Sequence, residues 1–365
     1  MTAVLLLWSA GAVGATECAA PPVAQAAAPG DPRPACAFLE LDVAGRAFAT
    51  LPSVGTSRGV ALQRLRSEVA LQAPGGASAR LSMVERRSGG EDGYIGIDGE
   101  SLVPVLQVAE VRWDWRAAGL AVAAGVVDDP WVMALQPAWD GVALAQVMVV
   151  DQGTIARADV GGWASFTSKD AVATVTAALT TGEGFQRRER NNGTNLTGVA
   201  RLRPLARSDS PARLELLVMA REGSRGLGQA PDHRAGLGAV VAHDWIAAGT
   251  DAMLGWGLQG DGTLLPAGAS LWAHAGVSAP IAAWARVDQT TDNRQVQGAG
   301  ERLFLVAGGP RLPGKGASTS LLLGWQGRTL GPNATGSAGA AAGTATHTFF
   351  VQLGGRIGGW LPLMP

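Results

Sequence analysis

The sequence predicts an all-β protein: a closed antiparallel transmembrane β-barrel of about sixteen strands, with short periplasmic turns and long extracellular loops. Three observations carry this. Extended segments alternate in character with a period of two, as between Leu196 and Leu205, where Val199, Arg201 and Arg203 share one side and Leu196, Gly198, Ala200 and Leu202 the other. Arginines stand inside these segments and not only between them, which suits strands with lipid outside and water inside. Beyond the N-terminus no apolar run reaches roughly 18 residues, so no spanning helix is expected, whereas barrel strands need only about 9–11 residues each.

Composition narrows the partners. The 365 residues carry a formal net charge of −1, so no global field points to nucleic acid. Lys169 and Lys315 are the only lysines, and the positive charge is almost all arginine. The guanidinium fork matches carboxylate and phosphate oxygens.

The segments follow in order. Met1–Ala15 (MTAVLLLWSAGAVGA) has a short apolar core ending in small residues and reads as a signal peptide cut near Ala15. Residues 16–36, rich in Ala and Pro, read as a flexible periplasmic lead, within which Cys18 and Cys36 are candidates to pair in an oxidising compartment. The barrel is expected over 37–357, with 358–365 as a C-terminal extension. In Ala37–Ala49, Leu39, Leu41 and Val43 oppose Glu40 and Asp42. In Val60–Gln72, Arg64, Arg66 and Glu68 oppose Leu65, Val69 and Leu71. A Pro-Gly-Gly turn joins this segment to Ala77–Arg87, which places Arg80 opposite Leu81, and the pair reads as a hairpin. After a Gly- and acid-rich loop, Ser88–Ser101, the segment Val103–Arg116 sets Glu110, Arg112 and Asp114 against Val111, Trp113 and Trp115. Two Trp at one end fit an aromatic girdle.

Gly119–Val127 is a short partner. The longest connection, Asp128–Gly153, holds Trp131 and Trp139, and its apolar part Val142–Val150 suits a helix. A connection this long is expected to have a function, here as a constriction folded into the lumen. Three strands follow within Ile155–Leu205. Ala212–Arg221 places Arg213, Glu215 and Arg221 opposite Leu214, Leu216 and Val218. The rest are Arg234–Trp245, Thr250–Leu258, Ala267–Val277, Pro280–Gln289, Gly300–Gly308, Ala317–Gln326 and Ala345–Ile357. Ala247–Gly249 and Ser278–Ala279 read as short links. In the last strand His347, Phe349, Val351, Leu353 and Ile357 face out, and Thr348, Gln352 and Arg356 face in.

Four segments resemble the outer-membrane porin family typified by the phosphate-selective porins of the O and P type. Asp159-Val160-Gly161 with Thr181-Gly182-Glu183-Gly184-Phe185 is similar to the family's "DLG…NGEGY" hairpin. Arg201–Leu205 (RLRPL) is similar to its "R-x-RPL" strand end. Ala283–Asp288 (AWARVD) is similar to its "ARYD" strand. Glu110–Trp115 with Val126–Trp131 is similar to its "EAYV…GQ…PF" hairpin. The resemblance covers about residues 55 to 357 and implies a sixteen-stranded barrel of a bacterial outer membrane, usually trimeric, passing small anionic solutes. Departures are the single Tyr94 beside twelve Trp, the missing lysine cluster, and a chain end LPLMP without the usual terminal aromatic.

The expected lining is Arg64, Arg66, Arg80, Glu110, Arg112 and Asp114, then Arg201, Arg203, Arg213, Arg221 and Arg286. Inward arginines are expected to outnumber inward acids such as Glu68, Glu215 and Asp288, giving a mild anion preference. The expected partners are small hydrophilic solutes, outer-membrane lipid and two further copies of the chain. Neither cofactor nor catalysis is expected. Gly55-Thr56-Ser57-Arg58-Gly59 has the G-x-S-x-G spacing, but a strand and not a helix should follow it. Gly255–Gly260 has the G-x-G-x-x-G spacing, but DGTLLP and not a helix follows. His233, His243, His274 and His347 lack ligand spacing. The alternative is a secreted or periplasmic all-β binding protein without a pore, whose sandwich strands would run about 5–6 residues.

Overall fold

The computed structural model describes residues 35–51, 57–87, 102–141, 144–184, 193–208, 210–226, 229–258, 260–276, 280–314, 317–334 and 343–362. Met1–Ala15, expected to be a signal peptide, Cys18 and the whole of the Ser88–Ser101 loop lie outside the described residues. Cys36 is disulfide-bonded.

Sixteen strands form one closed antiparallel barrel. They are β1 Cys36–Leu51, β2 Ser57–Gln72, β3 Ala77–Arg87, β4 Leu102–Trp115, β5 Leu120–Asp128, β6 Ala158–Thr167, β7 Ala173–Thr180 and β8 Asn195–Leu202. There follow β9 Arg213–Glu222, β10 His233–His243, β11 Ile246–Trp256, β12 Ala267–Ala275, β13 Ile281–Thr291, β14 Gly300–Gly314, β15 Ala317–Leu330 and β16 Ala345–Pro362. Each strand pairs with its neighbour in sequence, and β1 pairs with β16 from Cys36↔Pro362 to Leu51↔His347. The closed ring excludes the stacked sheets of a sandwich. A separate ribbon pairs Ser224–Arg225 with Ala230–Pro231. Short connections such as 116–119 and 244–245 gather at one rim with both strand ends of the seam, and the long connections gather at the other.

Alternation decides the two faces. On β4 the side chains of Val111, Trp113 and Trp115 lie on the outer surface, while Glu110 on the other parity is 8% exposed. On β16 Phe349, Val351, Leu353 and Ile357 are exposed outward, and Phe350 and Gln352 are buried inward. Trp113 and Trp115, with ring centroids 6.0 Å apart, sit with Phe166 and Trp245 at the short-turn rim. Toward the other rim Phe304, Trp325 and His347 stack in a row at 6.5 and 5.9 Å. An apolar band bounded by aromatics at both edges is the exterior that a bilayer demands. Gln63 on β2 and Gln107 on β4 are left without a partner where the register shifts, which marks a bulge in each strand.

Several boundaries differ from expectation, each for a physical reason. Ala247–Gly249 is not a link but lies inside β11; the turn is at Asp244–Trp245. The small residues there serve packing: a Cβ on Gly249 would stand 2.3 Å from the Trp272 ring. We expect Gly249→Val to displace that ring and to cost about 1–3 kcal/mol by overpacking, read as a lower urea midpoint. β14 runs through Gly308-Gly309-Pro310 to Gly314, past the expected stop at Gly308. β16 continues beyond Ile357, so that Trp360 pairs with Phe38 instead of lying past the strand. The expected helix at Val142–Val150 is replaced by α1, Pro130–Trp139, and by a single turn, α2, Met148–Asp151. Asp129 caps α1, accepting the N–H groups of Trp131 at 2.9 Å and Val132 at 3.4 Å, with Pro130 in the first turn.

Candidate functional site

The connection between β5 and β6 folds into the barrel. Trp131, Leu135, Trp139, Met148 and Val149 are each at most 1% exposed. They pack with Val199, Leu217, Met219, Trp272, Trp284 and Phe350, inward residues contributed by strands from β8 to β16. Trp139 meets Trp272 edge-on with centroids 5.8 Å apart and donates its indole N–H to Ala145 O at 2.8 Å. His274 Nε2 donates to Ala138 O at 2.9 Å. The insert thus packs against this half of the wall through apolar side chains.

Polar contacts lock the insert at its base and along its length. Asp129 is ion-paired with Arg221, which also donates to Thr197 Oγ1 at 2.9 Å. Burial pushes the Asp129 carboxyl above its ordinary range, opposed by Arg221 and by the two amides it caps. Arg286 reaches Asp151 at 3.2 Å and Asp288 at 2.8 Å. Loss of water around Asp151 pushes its carboxyl up to about 6, with Arg286 opposing. Arg311 meets Asp140 at the end of α1 at 3.1 Å.

The predicted residues separate into three groups. Arg64, Arg66, Arg80, Glu110, Arg112 and Asp114 share the wall made by β2 to β4. There Arg64 meets Asp42 at 2.7 Å, Arg66 pairs with Glu68, and Arg80 bridges Glu110 at 3.0 Å and Asp128 at 2.7 Å. Arg112 holds Asp114 at 2.7 Å. Arg201, Arg203 and Arg213 cluster at the short-turn end of β8 and β9, where Arg203 meets Glu215 at 2.9 Å and Arg201 meets it at 3.7 Å. Arg213 has no ion pair among the described residues. Arg221 and Arg286 lie under the insert, with side chains 7% and 1% exposed, and act as anchors. By contrast Arg80 and Arg112 keep 26% and 40% of their side chains accessible.

The expected excess of inward arginine is offset more than the sequence suggested. Asp42, Asp128 and Glu40 join the same wall, beside Arg157 and Arg356. Arg46, stacked 4.1 Å over the Phe350 ring and donating to Leu144 O at 3.1 Å, was not anticipated; nor was the buried Arg234, 2.6 Å from Asp232. Their inward parity was readable from the alternation, and their partners on the insert were not.

The hairpin containing Asp159 has a structural role. Asp159 accepts the Thr181 hydroxyl at 2.8 Å and the Gly182 amide at 2.6 Å, closing the turn after β7. Ser57 opens a strand, and Gly255–Gly260 leads into no helix. Among the described residues no group of three or more His, Cys, Asp or Glu is placed to hold a metal ion.

No family model and no curated protein matches the sequence. Solved structures do match the fold. An anion-selective porin from Comamonas acidovorans superposes with a TM-score of 0.58 at 12% identity, over 89% of this chain and 99% of that one. OmpF of Salmonella typhi, in complex with daunomycin, gives 0.56 at 8% identity over 87% and 97%. OmpT, an outer-membrane protein of Vibrio cholerae in its trimer form, gives 0.52 at 10% identity over 89% and 99%. The architecture is that of bacterial outer-membrane porins.

Proposed function

We propose that this protein is a porin of a bacterial outer membrane. It forms a water-filled passage for passive diffusion of small hydrophilic solutes, with a mild preference for anions, and assembles as a homotrimer. The observation that carries the reading is the asymmetry of the lumen. The insert packs against the side under β8–β16, while the charged wall of β2–β4 keeps solvent-accessible arginine side chains. An apolar exterior with an ion-lined interior is what a lipid-embedded conduit requires. Because the six arginines of that wall face six carboxylates, the net field is small and the selectivity modest, its sign set by the accessible Arg80 and Arg112. The anion-selective name of one structural neighbour agrees with that sign, and the trimer form of another with the assembly.

The test is reconstitution into a planar bilayer under a potassium chloride gradient. The reversal potential is expected to report chloride as the more permeant ion. Arg80→Gln with Arg112→Gln is expected to move it toward cation preference, since Glu110 and Asp114 then lose their counter-charges. Equal permeability of both ions in the parent protein refutes the selectivity, and a sealed bilayer refutes the channel.

A further inference from the structure

We infer that the lumen contains a binding subsite for a small zwitterion bearing one carboxylate and one ammonium group, as in a short α-amino acid. The inference rests on the reading of the lumen as a solvent-filled passage. A cavity of about 70 Å³ lies between the end of α1 and strands β1, β13, β14, β15 and β16. A water needs about 10–15 Å³ by this measure, so the space suits roughly five water-sized groups, a small solute and no more.

Its lining offers both signs of charge. Arg311 approaches from β14 and Asp140 from the insert, 3.1 Å apart. Arg356 approaches from β16, and Asp42 from β1. Arg356 is held only loosely: Asp42 is 3.7 Å away and Glu40 4.0 Å, with no hydrogen bond from its guanidinium among the described residues. Its side chain stays 41% exposed. A guanidinium so placed has donors to spare for a carboxylate, which it grips through two parallel N–H groups.

Trp284 closes one side of the same cavity and is 6% exposed. Asp140, 29% exposed beside Arg311, supplies the counter-charge for an ammonium, whereas Asp42 is already held by Arg64. Leu144, Leu322 and the Trp284 ring give an apolar side for a short aliphatic body. Gly354 keeps the floor low, because a Cβ there would stand 2.9 Å from Ser320 Oγ. A purely anionic solute would face two carboxylates, and a purely cationic one two guanidinium groups. Only a ligand with both groups meets each in turn.

The probe is alanine, compared with propionate, which lacks the ammonium, and ethylammonium, which lacks the carboxylate. Equilibrium binding to the detergent-purified full chain is followed by tryptophan emission and calorimetry at neutral pH. Alanine is expected to bind more tightly than either comparison compound. Arg356→Gln is expected to weaken it about tenfold, as loss of a charged hydrogen bond does. Gly354→Ala raises the floor of the cavity and is expected to weaken alanine as well, so the test survives if the arginine variant does not fold. Equal binding of all three compounds, or alanine binding indifferent to both substitutions, overturns the subsite. Bilayer conductance is measured on the same preparation. Conductance without alanine binding removes the subsite alone, and alanine binding without conductance removes the channel alone.

Discussion

Alanine at both Trp131 and Leu135 is expected to raise single-channel conductance and make it noisy, while the barrel stays closed. Each side chain is completely buried against inward residues of the wall, and truncation of a buried Leu or Trp costs about 2–5 kcal/mol. What remains to hold the insert is the packing of Trp139, Met148 and Val149, the hydrogen bonds from His274 and Arg46, and the ion pairs Asp129–Arg221, Arg286–Asp151 and Arg311–Asp140. These are insufficient to keep α1 seated all the time, so the insert would sample positions away from the wall. The strands should be indifferent, because their hydrogen bonds run from neighbour to neighbour around the ring and none depends on α1. Conductance recordings, with migration of unheated samples on gels as the check on closure, decide the matter. An unchanged conductance in a closed barrel would mean that the insert is not what narrows the passage.

The second large effect lies on the opposite face. Leu237, near the middle of β10, is 65% exposed on the outer surface. We expect Leu237→Arg to cost about 2–4 kcal/mol, the penalty for arginine near the bilayer midplane. It should appear as a lower urea midpoint for protein folded into vesicles, and should shrink strongly when the same pair is compared in a short-chain detergent. The control is Arg213→Leu at the wet rim of β9, where no ion pair is lost and the midpoint should hardly move. If Leu237→Arg were as mild as this control, the outer face would not be in contact with hydrocarbon.

Much of this architecture was legible in the order of the residues, because a one-residue offset would send every arginine of a strand into lipid. Glu110-Val111-Arg112-Trp113-Asp114-Trp115 can only be laid down one way. The lumenal insert was readable in part. Asp129-Pro130-Trp131 is a helix start, an N-cap followed by proline, but the apolar stretch after it drew attention to 142–150 instead. Small residues misled twice. Ala247–Gly249 resembles a turn and is a seat for Trp272; Gly308-Gly309-Pro310 resembles a stop and is crossed by a strand that carries Arg311 to the cavity. Pairing was the least legible feature. Which carboxylate faces Arg221 or Arg286 depends on how a connection folds back across the barrel, and no periodicity along a strand contains that information.

The seam between the first and last strands sets the order of assembly. Cys36 lies against Pro362 and Leu51 against His347, so the ring cannot shut until nearly the whole polypeptide has been delivered. Contacts of such extreme sequence separation form slowly, and until they do two unpaired strand edges invite pairing with other chains. A newly made molecule thus passes through an open, adhesive state, whose lifetime depends on how soon its two ends meet.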